Sequence, residues 1–273
     1  MRVLLGIKSR FAGQKRPGLT LCQTRPFSKL IWTNMDFTIV IPVLNEEKRI
    51  GPCIKALLDQ DYPKDKYEIL IVDNGSHDTS VKIIQSYERV GDPRLKLLFE
   101  PKGGITFARQ RALEEAKGTY YITTDADAIP PKGWLKSAKK VFDKDPGIVG
   151  ITGPTYGHDA DIFTNQFLAY GGLLAANTPK HKVIMGCNMA FVTDKARQVG
   201  GFILGEHKYH EDSIISVRLR KIGRLKVDKE FYNYISARRY KGIKIFNFVN
   251  NLINYLGVRL FNRPVFDYFP EIR

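Results

Sequence analysis

Tyr120-Tyr121-Ile122-Thr123-Thr124-Asp125-Ala126-Asp127-Ala128 is the stretch around which the chain is organised. Its apolar, β-branched first half reads as a buried strand. Two carboxylates, Asp125 and Asp127, follow two residues apart, and Pro130-Pro131 brings the run to a stop. Residues i and i+2 of a strand share a face, so where the chain turns both acids can reach one hard cation. Mg²⁺ or Mn²⁺ takes oxygen ligands, keeps some waters and is often completed by substrate phosphates. Taken alone, such a pair favours a plainer reading, a strand terminus with one Asp capping the next helix. Only the rest of the chain can reverse that.

Outward from this stretch, strands and helices alternate. Upstream, Phe37-Thr38-Ile39-Val40-Ile41-Pro42-Val43 is a continuous apolar run, the mark of a buried parallel strand. Leu44-Asn45-Glu46-Glu47 follows, then a helix with Ile50, Ile54, Leu57 and Leu58 on one face. Tyr67 to Val72 is a second strand, ending at Asp73-Asn74-Gly75-Ser76, and Asp78-Thr79-Ser80 can cap a helix bearing Val81, Ile84 and Tyr87. Leu95 to Phe99 is a third strand; Gly103-Gly104 opens a helix with Ala108, Ala112 and Ala116, closed by Gly118. Four such units predict an α/β fold with a mostly parallel central sheet flanked by helices. Downstream the pattern is mixed: helices over 134–142, 163–176, 194–199 and 212–222, strands over 148–151 and 231–235, an extended segment over 183–192 and a loop over 153–157.

Size and composition agree with a soluble globular domain: 273 residues, 43% hydrophobic and 26% charged. The net charge of +15 asks for an anionic partner. Seven basic residues and no acid stand in 1–34, which resembles a transit peptide or an untranslated extension ahead of Met35. Residues 1–35 are therefore read as a disordered or untranslated extension, 36–240 as the folded domain and 241–273 as an amphipathic tail. No apolar run reaches the roughly 18 residues of a membrane span. Cys22, Cys53 and Cys187 form neither a disulfide framework nor a metal pattern, which fits a reducing compartment such as the cytoplasm. The tail, apolar but broken by Asn247, Asn250, Asn251 and Asn254 and flanked by basic residues, either lies in an anionic membrane surface or packs as a helix on the domain or another copy.

Acids and glycines cluster where strands end: Asn45 and Glu46 after the first, Asp73 after the second, Lys102 to Gly104 after the third, Asp125 and Asp127 after the fourth. In open parallel sheets ligands bind outside those carboxyl ends, so these residues are expected to share one site. Neither G-x-G-x-x-G after the first strand nor a P-loop is present.

Ile41-Pro42-Val43-Leu44-Asn45-Glu46, Val72-Asp73-Asn74-Gly75-Ser76, Gly104-Ile105-Thr106-Phe107-Ala108-Arg109-Gln110, Thr124-Asp125-Ala126-Asp127 and Glu211-Asp212 occur in the order seen in family 2 glycosyltransferases. The resemblance covers about residues 36–240. It implies the GT-A fold and metal-dependent, inverting transfer of a sugar from a nucleotide-diphospho-sugar to a hydroxyl of a glycan, lipid or polyprenyl phosphate acceptor. By position it assigns the nucleoside to Pro42, Asn45, Glu46 and Asp73, the diphosphate to Lys102 and Arg109, and the Mg²⁺ or Mn²⁺ to Asp125 and Asp127. Asp212 becomes the catalytic base, Glu211 an acceptor contact or support, and Asn188 a bond to a sugar hydroxyl. Helix capping is the competing role for Asp212, and packing that for Cys187 and Trp134. The family more often has two acids before Gly-Ser; here the second is Asn74. The Gln-x-x-Arg-Trp of processive relatives is replaced by Ser236-Ala237-Arg238-Arg239-Tyr240, which implies single-sugar transfer and leaves Arg238 or Arg239 to grip the diphosphate. A nucleotidyltransferase or a non-catalytic sugar-nucleotide-binding relative are the alternatives. No nucleic-acid recognition motif is present, and the expected location is cytoplasmic, including the cytoplasmic membrane face.

Overall fold

The computed structural model describes residues 35–162, 183–202 and 210–240, with single positions at 165, 169, 253, 257 and 265. The expected extension 1–34, the helix over 163–176 and the tail 241–273 lie outside the described residues apart from those single positions.

The order is β1 Phe37–Val43, α1 Ile50–Leu58, β2 Tyr67–Asp73, α2 Ser80–Arg89, β3 Leu95–Phe99, α3 Ile105–Glu115, β4 Tyr120–Thr123 and α4 Trp134–Lys144. Then come β5 Ile148–Thr152, β6 Thr155–Gly157, β7 Met189–Val192, α5 Thr193–Gln198, α6 Glu211–Leu219, β8 Arg224–Val227 and β9 Asn233–Ile235. Seven strands form one sheet in the order β3-β2-β1-β4-β7-β5-β8, and β6 pairs with β9 in a second, two-stranded sheet. The pairings β1–β2, β2–β3, β1–β4 and β5–β8 are parallel; β7 runs antiparallel to both its neighbours.

Strand periodicity sorts the core into two layers. Phe37, Ile39, Ile41 and Val43 of β1 join Ile69 and Ile71 of β2 against α1, α2 and α4. Val40, Leu70 and Val72 face the other way, against Ala108, Ala112 and Leu113 of α3 and Ile215 and Leu219 of α6. Alanines on α3 let that helix approach the sheet closely. A fully buried side chain of the Ile or Leu class contributes ~1.5–3 kcal/mol, so apolar runs two faces deep hold the first half firmly. Trp134, expected in the core, is there: it stacks on Phe231 with ring centroids 5.8 Å apart.

The chain leaves β1 for β2 and β3 on one side and returns to β4 on the other. This reversal beside β1 opens a crevice outside the carboxyl ends of β1 and β4, where ligands of such sheets bind. Three differences from expectation fall in the second half. The loop expected over 153–157 contains β6, and the extended segment over 183–192 is a strand only from Met189, leaving 183–188 as a loop that enters the crevice. An unexpected edge strand, β8, closes the large sheet.

Candidate active site

Each strand end delivers its acid to the crevice through a short, tied loop. After β1, Asn45 adopts a left-handed backbone (φ 55°) that Asn tolerates better than most residues. Its N–H donates to Ser76 Oγ at 2.9 Å and its Oδ1 accepts from the His77 N–H at 2.8 Å, locking the β1 and β2 loops together. Asp73, at the end of β2, is buried, and its carboxylate accepts from the Gly75 and Ser76 N–H groups at 3.1–3.3 Å. A carboxylate offers about four lone-pair sites, so acceptor capacity is left for a ligand. Pro42 is half-buried one residue before the end of β1.

Asn74 stands where a second acid is more usual, and the structure gives a reason for the amide. Nδ2 donates to the carbonyls of Glu100 and Lys102 at 2.9 and 2.8 Å, while Oδ1 accepts from the Gly104 N–H at 2.7 Å. Only a side chain that both donates and accepts can pin the β3–α3 loop this way. Gly104, at φ 130°, begins α3 from a conformation that disfavours any other residue. Asn74→Asp should leave both carbonyls facing a carboxylate and lose ~1–3 kcal/mol in urea unfolding. An unchanged midpoint and slope would reject this role. Beyond the loop, Lys102 Nζ lies 4.2 Å above the Phe107 ring.

Arg109 is the centre of the site. It comes from α3 and is 1% exposed. One terminal nitrogen, Nη1, bonds Glu211 Oε1; the other lies 3.2 Å from Asp125 Oδ1 and 2.8 Å from the Gly186 carbonyl. Burial works against its charge, but Glu211 and Asp125 raise its pKa above the usual arginine value. The guanidinium expected at the diphosphate is turned inward here, with its terminal nitrogens bonded to Glu211, Asp125 and the Gly186 carbonyl. Gly186 makes room for it, because a Cβ there would stand 2.5 Å from Arg109 Nη1 and 3.3 Å from Glu211 Oε1.

Glu211 and Asp212 open α6. Neither is the N-cap, which is His210, held left-handed at φ 65° with no side-chain capping bond. Glu211 is buried; desolvation pushes its carboxyl above the ordinary range and the Arg109 charge pulls it back. Asp212 is half-buried, with Oδ2 accepting from the Gly186 N–H at 3.2 Å and Oδ1 from the Ser213 N–H at 2.7 Å. So Gly186 bonds Arg109 through its carbonyl and Asp212 through its N–H.

The loop after Gly186 is built from the interior. Thr124 Oγ1 donates to the Cys187 carbonyl at 2.6 Å, and Asn233 Nδ2 bonds both that carbonyl (3.2 Å) and Thr124 Oγ1 (2.6 Å). Asn188 is fully buried; its Oδ1 accepts from Trp134 Nε1 at 2.9 Å and its Nδ2 donates to the carbonyls of Phe231 at 2.8 Å and Pro154 at 3.4 Å. The amide expected at a sugar hydroxyl thus has both of its polar atoms bonded within the protein. Burial pushes the Cys187 thiol up to about 12, which suits packing rather than nucleophilic work.

A second cluster lies across the crevice. Arg238, from the 3-10 turn Ala237–Tyr240, bonds the Glu46 carboxylate with both terminal nitrogens, and Nη2 also lies 3.3 Å from Asp127 Oδ2. Acids and guanidiniums thus alternate in two clusters, Glu46, Arg238 and Asp127 in one and Asp125, Arg109 and Glu211 in the other. Among the described residues no group of three His, Cys, Asp or Glu side chains could hold a metal ion. Asp125 and Asp127 are two oxygen donors at one strand end, the donor set Mg²⁺ or Mn²⁺ accepts when substrate phosphates complete it. The residues present fit such an ion as a shared site, not as a closed protein cage. Asn74, Gly186 and Asn233 are site-building residues that no spacing in the sequence singles out for these contacts.

The profile of the family described as "Glycosyl transferase family 2" matches residues 38–199, more than half of the chain. Among curated relatives, "Glycosyltransferase AglE" of Haloferax volcanii is 31% identical over 60% of this chain and 55% of its own length. "Dolichyl N-acetyl-alpha-D-glucosaminyl phosphate 3-beta-D-2,3-diacetamido-2,3-dideoxy-beta-D-glucuronosyltransferase" of Methanococcus voltae is 31% identical over 42% of this chain and 38% of its own. The chain spans about half the length of these relatives or less. Of solved structures, "Mannosyltransferase PcManGT from Pyrobaculum calidifontis in complex with GDP-Man and Mn2+" superposes with a TM-score of 0.66 at 22% identity, covering 87% of this chain and 68% of that one. "S. aureus TarS 1-349 in complex with UDP-GlcNAc" gives 0.63 at 20%, covering 85% and 68%. At these identities the likeness speaks for the fold.

Proposed function

Since the chain belongs to glycosyl transferase family 2 and has its GT-A fold, we propose that it transfers a single sugar from a nucleotide-diphospho-sugar to an acceptor hydroxyl, inverting the anomeric centre. The observation that carries this reading is the Arg109 cluster. It joins Asp125, an acid at the donor end of β4, to the start of the helix that carries Asp212. Asp125 bonds one terminal nitrogen of this buried cation and Glu211, the neighbour of Asp212, bonds the other; in this reading Asp125 serves the leaving group and Asp212 the nucleophile.

The nucleoside lies against Pro42, Asn45, Glu46 and Asp73, whose oxygens accept from base N–H or ribose hydroxyl groups. Lys102 reaches the diphosphate with a charge-assisted bond. Asp125 and Asp127 hold Mg²⁺ or Mn²⁺, which when bound neutralises charge on the departing diphosphate. Asp212 accepts the proton of the acceptor hydroxyl as its oxygen bonds the anomeric carbon from the face opposite the phosphate. The bond from that carbon to the phosphate oxygen breaks, and its electron pair leaves with the nucleoside diphosphate. Glu211 and Arg109 position Asp212 and Asp125. Asn188 has no place in this scheme beyond holding the loop.

The acceptor is proposed to be a glycan or a lipid-linked sugar, a reading supported by the dolichyl phosphate in the name of the Methanococcus voltae relative. No helix among the described residues is long and apolar enough to cross a membrane. In this reading the basic, apolar tail meets an anionic membrane surface on the cytoplasmic side, a role supported by its composition. Asp127→Ala is the direct test of the donor half. Calorimetry with UDP and GDP should show Mn²⁺-dependent binding in the wild type and none in the variant, at a similar melting temperature. Equal binding by both would remove Asp127 from the metal site.

A further inference from the structure

Arg238 bonds two acids that the reading above gives to the donor. Its turn is fixed by Asp159, whose Oδ2 accepts from the Ser236 hydroxyl at 3.0 Å and whose Oδ1 accepts from the Ala237 N–H. From that base the guanidinium holds both oxygens of Glu46 and approaches Asp127 Oδ2 with Nη2 alone, at 3.3 Å. All three side chains are largely withdrawn from water, at 13%, 11% and 7% exposure for Arg238, Glu46 and Asp127. Screening by solvent is correspondingly weak. Nε of Arg238 has no hydrogen-bond partner among the described residues.

The two guanidiniums of the crevice differ in how firmly they are held. Arg109 has an acceptor on each terminal nitrogen and a third in the Gly186 carbonyl, with no route to solvent. Arg238 keeps a bidentate partner in Glu46 if its contact with Asp127 breaks; Nε of both guanidiniums is without a hydrogen-bond partner among the described residues. A cation that comes to Asp127 unaccompanied meets the Arg238 charge already there. A nucleoside diphosphate brings negative oxygens that a guanidinium bonds well, and so gives Arg238 an alternative to Asp127.

We infer that Arg238 is the resident counter-ion of Asp127 and makes metal binding depend on the diphosphate. Mn²⁺ alone binds weakly, and Mn²⁺ with a nucleoside diphosphate binds tightly because the phosphates draw the guanidinium away. The inference rests on the assignment of Asp125 and Asp127 as metal ligands. Arg238 is here a positioning residue, acting on the metal through Asp127. By linkage, metal and diphosphate strengthen each other's binding by the same factor.

Removing the charge should therefore have effects of opposite sign. Arg238→Met should bind Mn²⁺ alone about tenfold more tightly than the wild type, since the competent form no longer has to be freed first. The same variant should bind UDP or GDP more weakly. Arg238→Lys keeps the charge and should restore weak binding of Mn²⁺ alone. A purely structural role would weaken both bindings together. The experiment is a Mn²⁺ titration read by the paramagnetic resonance of the free ion, with and without UDP or GDP, on all three proteins, with melting curves. Tighter Mn²⁺ binding by Arg238→Met supports the inference; binding equal to or weaker than the wild type overturns it. If the Met variant does not fold, the wild type still decides: Mn²⁺ affinity unaltered by either nucleotide overturns the inference. Loss of Mn²⁺ binding from every protein under every condition would instead reject the metal-site assignment, and the inference with it.

Discussion

Arg109→Leu is expected to lose about 3–5 kcal/mol of stability, the largest loss of any substitution at this site. The guanidinium is buried between Glu211 and Asp125, and Glu211, 5% exposed, has little water with which to replace it. Removing one partner of a buried pair leaves the other charged and unpaired, a far worse state than removing both. Arg109→Leu combined with Glu211→Leu should therefore recover much of the loss, and the two substitutions should be strongly non-additive. Urea unfolding of the wild type, both single variants and the double variant measures this coupling.

The pH dependence gives a second reading of the same pair. Burial already holds the Glu211 carboxyl above its ordinary range against the pull of Arg109, and losing the guanidinium raises it further. A group with a raised folded-state pKa binds more protons in the folded chain than in the unfolded one. Its contribution to stability is complete below the unfolded value, about 4.3 for Glu, and is lost as pH rises through the folded value. Arg109→Leu should thus be relatively more stable at about pH 5 than at about pH 8, and by a wider margin than the wild type. A pH-independent deficit, with simple additivity in the double variant, would mean that Arg109 is only filling space.

Arg109 also marks where the sequence stopped being legible. Strands β1, β2 and β4 are apolar on both faces, so their existence, parallel pairing and carboxyl-end acids could be read directly, and topology then brought those acids to one crevice. The later strands gave weaker signals. β6 is three residues long and is defined by its pairing with β9. β8, Arg224-Leu225-Lys226-Val227, is an edge strand with charged residues on its outer positions. Side-chain environments were less legible still. Within α3, Arg109 follows Ala108 as a polar residue on a helix, which reads as a cation turned to solvent or ligand. Its burial depends on Gly186 and Glu211, 77 and 102 residues away, and no spacing connects them. The surroundings of Asn188 were illegible for the same reason: Trp134 and Phe231, which bond it, come from opposite ends of the second half.

Asp212→Asn should lower kcat by about 10²-fold or more while leaving donor affinity nearly intact. An acceptor hydroxyl is a poor nucleophile until its proton is being removed, and general-base help is typically worth ~10²–10⁴-fold. Asparagine keeps the shape of the side chain but not its basic oxygen. The geometry makes this comparison cleaner than a capping argument would allow, because the N-cap of α6 is His210 and Asp212 lies inside the helix. What Asp212 does structurally is accept from Ser213 N–H and Gly186 N–H with its two oxygens. Asparagine can keep one of these bonds and must turn Nδ2 toward the other donor, so Asp212→Asn should also lose ~1 kcal/mol of stability. Asp212→Ala, which loses both bonds, should be destabilised somewhat more and should be no less impaired in turnover. The roles therefore separate on kinetics and not on melting. If Asp212 serves only to anchor the Gly186 loop, turnover should follow stability, with Asp212→Asn nearly active and Asp212→Ala slower. If it is the base, both variants should be slow to a similar degree although their stabilities differ. Single-turnover rates with saturating donor, set beside the melting temperatures of the two variants, distinguish these outcomes. A near-normal rate for Asp212→Asn would remove the base from this position. Glu211 would be a poor replacement for it, since its carboxylate is buried against Arg109 and does not face the crevice as an available base.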